Sequence, residues 1–160
     1  MASDKHTYTT IVDSGSSIPV DNLSDIRIDI PENQIEIPLA EFGLFVEEGK
    51  INNFVTITAN IGLSQIYQKS DILVNDVVFR IRRHRPTLET IVYETQKIDF
   101  HFNQHFDITI SFTDGETDQI IPPGYYGYTL VVSKIAPIKQ LIPLSFYLIE
   151  FHGTSYITNY

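Results

Sequence analysis

His101-Phe102-Asn103-Gln104-His105 sets two imidazoles four residues apart. That spacing brings both rings to one metal ion only on a helix. No acidic residue lies inside the motif and its surroundings are strand-like, so a surface loop is expected. Asp114-Gly115-Glu116-Thr117-Asp118 gathers three carboxylates, the hard oxygen donors that calcium takes. Their spacing is not that of the helix–loop–helix calcium site, and a solvated acidic turn is the expectation. Arg80, Arg82, Arg83, His84 and Arg85 form the basic run of the chain. Such a run serves to hold an anionic glycan, to meet an acidic neighbour, or to keep a hairpin edge soluble. The charged hairpin is the preferred reading and the acidic neighbour the second. Ser, Asp and His occur without a GxSxG elbow. A phosphate-cradling glycine loop is missing from the sequence. Cysteine is absent, which removes thiolate nucleophiles, disulfides and Cys-based zinc sites. The expectation is a non-enzymatic chain without catalytic residues, cofactor or metal.

The elements that carry these groups read as strands. Tyr (9) and Phe (10) are plentiful and helix-forming windows are lacking, so the chain is expected to be nearly all β. At 160 residues and 18.3 kDa it suits one domain. A net charge of −9 argues against nucleic acid and against an anionic membrane surface. No apolar run nears the roughly 20 residues that span a bilayer, and MASDKHTYTT lacks a secretory pattern. The charge is uneven. Up to Lys50 ten acids face three bases, which places −7 of the total in this third of the chain. That asymmetry suits a less negative neighbour, or simply a solvated surface.

Residues 1–22 are polar, with Ser14-Gly15-Ser16-Ser17 as a hinge. They read as a frayed tail or as an arm whose TYTTIV strand adds to another subunit's sheet edge. The remainder, 23–160, reads as a single domain. Ile26, Ile28 and Ile30, then Ile35, Ile37 and Leu39, alternate with polar residues, as two strands joined by a tight turn. Phe42 to Val46 and Ile51 to Leu63 follow as strands. DVVFRIRRHRPTLETIVYETQ reads as a hairpin turning at residues 83–87. Residues 97–105 suit a wide loop or one helical turn. FDITISF and YYGYTLVVS alternate strictly on either side of TDGETDQIIPPG. Ile142 to His152 is apolar on both faces, as a strand buried twice. About nine strands without a long helix make an antiparallel sandwich, and the long connections favour a jelly roll or Greek key.

The order NFVTITANIGL, DVVFRIRRHRPTLETIVYETQ, FDITISFTDGE, IPPGYYGYTLVVS and LIPLSFYLIEF resembles small jelly-roll proteins of spore-forming bacteria, across roughly residues 40–152. Their fold is similar to trimeric heads of the tumour-necrosis-factor and complement type. The resemblance implies a structural protein of the spore surface, exosporium or spore appendages, extracellular, and assembling with itself as trimers or fibres, with other spore-surface proteins as further partners. The missing cysteines depart from many such proteins and speak against a disulfide-locked fibre.

Tyr125, Tyr126, Tyr128, Phe146, Tyr147, Phe151 and Tyr156 are most simply core. Yet one sandwich has difficulty hiding both faces of strands this apolar, and Tyr and Phe favour interfaces. Tyr126, Tyr128, Phe146, Tyr147 and Phe151 are therefore expected at a subunit contact, together with Tyr8, Ile11, Val12 and Ile18 of the arm. A carbohydrate-binding jelly roll and a phage or virion structural protein are the alternatives.

Overall fold

The computed structural model describes residues 6–17, 26–30, 36–64, 74–85, 88–96, 98–100, 105–115, 120–134 and 142–160. Among these residues there are ten strands and no helix. In chain order they are β1 (Tyr8–Ser16), β2 (Ile26–Ile30), β3 (Ile37–Val46), β4 (Asn52–Ser64), β5 (Val74–Arg85), β6 (Leu88–Glu94), β7 (Ile98–Phe100), β8 (His105–Asp114), β9 (Gly124–Lys134) and β10 (Ile142–Asn159).

They form two antiparallel sheets. The first runs β1-β10-β4-β8, with β2 also on β10; the second runs β3-β9-β5-β6, with β7 on β5. The two inner faces meet as a β-sandwich. Period-two alternation sets the core directly. In β4, Val55, Ile57, Ala59 and Ile61 are buried, and Phe54, Thr56, Thr58 and Asn60 are half-buried on the outer face. In β9, Tyr126, Tyr128, Leu130 and Val132 point inward. Each fully buried Leu, Ile or Phe contributes about 1.5–3 kcal/mol relative to exposure.

Several connections differ from the sequence reading. The strands expected to form a hairpin around residues 31–33 lie in different sheets: β2 pairs with β10 and β3 with β9. The reason is length. Ile37 to Val46 is one continuous strand, bulged between Pro38 and Ala40 where proline has no N–H to give, and it forms a ladder with β9 from Ile37↔Val132 to Val46↔Gly124. Residues 98–100, read as loop or helical turn, are strand β7. β10 does not stop at His152 but continues to Asn159.

The arm expected over 1–22 is, at residues 8–16, an edge strand of the chain's own first sheet. β2 covers only Ile142 to Phe146 of β10, and β1 covers His152 to Asn159. A bulge between Ile11 and Asp13 turns β1 toward the second sheet. There the Asp13 carboxylate accepts from the Phe45 amide at 2.8 Å, and the Ser155 hydroxyl donates to the Phe45 carbonyl at 2.6 Å. Both groups belong to β3, so this corner ties the two sheets together.

Candidate functional site

The structure separates the expected contact residues into two sets. Tyr126, Tyr128, Phe146 and Phe151 are closed inside the chain's own core, each 3% exposed or less. Their expected role at a subunit surface is corrected, because their positions fall on the inner faces of β9 and β10. Phe42 stacks on Tyr128 with centroids 5.3 Å apart and packs against Phe151 at 4.6 Å. Tyr147 sits half-buried at a bulge in β10, and its hydroxyl donates to Asp107, which raises the phenol pKa. Ile18 lies outside the described residues. Val12 is half-buried.

Tyr8 and Ile11 are on the surface, 55% and 62% exposed. Ile11 is opposite Tyr156, and Tyr156 is opposite Phe54, so one row crosses β1, β10 and β4 on the outer face. Phe54 and Tyr156 stack at 5.0 Å. Ile51 is exposed nearby, its amide bonded to the Thr158 carbonyl. This strip of apolar surface runs along one end of the first sheet. Strand alternation in TYTTIV puts Ile11 on this face with Thr9, and Tyr8 on the opposite one with Thr10. Nothing local marked Tyr156 or Phe54 as neighbours of Ile11.

The basic run is consumed within the chain. Arg80 bonds Glu36, Glu94 and the Ser133 hydroxyl. Arg82 bonds Glu36 and Glu89. The strong hydrogen bond from Arg82 holds the Glu36 carboxyl below its ordinary value, against the cost of burial. The Arg83 guanidinium donates to both oxygens of Asp114 at 2.8 Å, and the Tyr128 hydroxyl donates to the same carboxylate at 2.9 Å. Arg85 lies over the Tyr126 ring, 4.7 Å from its centroid. The preferred reading of the run is a charged hairpin: β5 and β6 do pair, with Arg80 and Arg82 bonded to Glu94 and Glu89 of the edge strand β6, while β5 itself is an interior strand between β9 and β6. The acidic partner is Glu36 of the chain's own N-terminal third.

The other two constellations come apart. Asp114 ends β8 with its carboxylate engaged, and residues 116–119 lie outside the described set. His105 opens a strand, and His101 lies outside the described set. Among the described residues no group of three or more His, Asp or Glu is placed to hold a metal ion.

One cleft stands on the outer face of the second sheet. It has a volume of about 560 Å³ and is lined by Glu41 and Gly43 of β3, Gly127 and Thr129 of β9, and His84 of β5. Its floor follows from register. Gly43 is opposite Gly127, and Gly127 is opposite His84. One step along, Glu41 is opposite Thr129; on the other side Phe45 is opposite Tyr125. The His84 Nε2 and the Thr129 hydroxyl are 2.9 Å apart. Tyr125 is 77% exposed and its ring meets Phe45 at 4.9 Å.

No protein-family model matches the chain, and no curated protein does. Solved structures match at the level of fold. A chain of the infectious bursal disease virus structure, Gx strain, is 10% identical over 97% of this chain and 32% of its own length, with a TM-score of 0.52. A chain of the Gt strain structure is 9% identical over 95% and 33%, with a TM-score of 0.48. The present chain thus spans about a third of the length of these viral chains. The Gx likeness speaks for the fold, a sandwich of two antiparallel sheets.

Proposed function

We propose that this chain is a structural subunit that assembles with copies of itself, as a building block of a virion-type shell. The observation that carries this reading is the likeness in fold, over nearly the whole chain, to a chain of an infectious bursal disease virus structure. Two further features support it. The strand order β1-β10-β4-β8 over β3-β9-β5-β6, with β3, β4 and β5 in alternate sheets, fits a jelly roll. The exposed Ile11, in one row with the Phe54–Tyr156 stack, offers an apolar strip of the kind that closes against a second copy. β1, bonded along one side by β10, brings an edge to that strip.

A spore-surface fibre is the second reading, favoured by the order of sequence motifs between residues 40 and 152. Neither reading assigns the chain a reaction or a cofactor. Both are tested by sedimentation and negative-stain microscopy of the full chain. Closed particles are expected on the first reading and filaments on the second. A solitary 18.3 kDa particle at every concentration overturns both.

A further inference from the structure

We propose that the cleft floored by Gly43 and Gly127 binds a neutral saccharide, a function that does not depend on self-assembly. The argument starts with what the glycines are not for. At other positions the fold itself demands glycine: a Cβ at Gly15 would run into the Gly43 carbonyl, and one at Gly153 would lie 2.6 Å from the Phe42 ring. At Gly43 the nearest atom to a Cβ would be the Tyr126 carbonyl oxygen at 3.7 Å, and at Gly127 the His84 Cβ at 3.8 Å. Both are ordinary contacts. Glycine inside a strand weakens it, and commonly marks a place where a ligand comes close to the backbone. Two such glycines facing each other in adjacent strands keep a trough open on a surface that side chains would otherwise fill.

The walls supply the chemistry. On one side, two residues along each strand and beyond the lining itself, Phe45 and Tyr125 offer an aromatic surface, and Tyr125 is the most exposed of the large apolar side chains among the described residues. Glu41, Thr129 and His84 offer an acceptor, a hydroxyl and an imidazole at the other. Among the described residues the Glu41 carboxylate makes no hydrogen bond or ion pair. A pyranose has an apolar C–H face for an aromatic ring and a rim of hydroxyls for such polar groups. An anion would meet the Glu41 carboxylate on a chain of net charge −9. A peptide strand finds no free ladder at the trough's centre, because Gly127 is paired on both sides, with Gly43 and with His84. A neutral sugar needs neither. The volume suits one or two rings.

The test is saturation-transfer-difference NMR on the full chain, which reads the sugar whether or not the protein is assembled. The probes are methyl β-D-glucopyranoside, methyl β-D-galactopyranoside, methyl α-D-mannopyranoside and triacetylchitotriose. Saturable transfer to the ring C–H protons of at least one is expected. Gly127→Thr, which fills the trough with a good strand former, weakens it at least about tenfold without lowering Tm. Tyr125→Ala weakens it as well. Absence of transfer to all four probes overturns the proposal, and so does transfer undiminished in Gly127→Thr. A third result also overturns it: Gly127→Thr dispersing assemblies that no sugar competes with, which makes the trough a socket for a second copy.

Discussion

Gly153 lies in β10 under the Phe42 ring, with the Thr56 carbonyl 3.3 Å from where a Cβ would stand. Gly153→Ala therefore overpacks the core, and urea unfolding is expected to show a loss of about 1–3 kcal/mol. Asn53 is fully buried. It donates to the carbonyls of Glu47 and Ile121 and accepts from the Ile121 amide at 2.9 Å, which pins the segment entering β9. Asn53→Leu leaves these groups without their partner, at about 1–3 kcal/mol for each that stays buried. Thermal unfolding checks this: an unchanged Tm would mean the segment reorganises freely. From sequence, Asn53 looked like an ordinary residue at the start of a strand. Its partner at 121 is remote, and only packing brings it near.

At the scale of elements, the β5–β6 hairpin was legible, since alternation and a proline-containing turn both marked it. Glu36, 46 residues from Arg82, was not. Its folded pKa is lowered from an ordinary 4.5. A carboxyl depressed by folding contributes stability that is full above its unfolded pKa and is lost as pH falls through the folded one. Glu36→Gln is thus expected to cost about 1–3 kcal/mol at pH 7, with the gap from the parent chain closing below about pH 4. Denaturation midpoints at pH 7, 5 and 3 check the sign; a gap that widens toward pH 3 would refute the assignment. The Asp13 carboxylate acts between elements too, capping the Phe45 amide at the edge of β3. Asp13→Ala removes that cap, and about 1 kcal/mol of stability with it, as read by urea midpoint.

For the whole molecule, the decisive feature is which apolar surface stays outside. The four deepest of the expected contact aromatics close the sandwich's own core, so on the proposed reading assembly falls to β1 and the strip beside it. Ile11→Lys is expected to disperse assemblies, as followed by sedimentation, while Tm shifts little, because Ile11 is 62% exposed. A large fall in Tm instead would make Ile11 structural. Deleting residues 2–17 is a harsher change, since it strips β1 from β10 and removes the Asp13 tie to β3. Circular dichroism of that truncation should show a less stable sandwich, not merely one unable to assemble.

Alternation alone determined that this chain is built of strands, and which residues of each strand share a face. Composition determined that its charge is negative and that cysteine chemistry is closed to it. Tertiary structure decided which sheet each strand joins, that Tyr128 and Phe151 look inward, that Glu36 answers the arginines, and that Gly43, Gly127 and His84 meet. The reason is range. A period of two is written in neighbouring residues, whereas strand pairing and inter-sheet packing join positions far apart in the chain, through ladders whose competing registers are alike in local pattern.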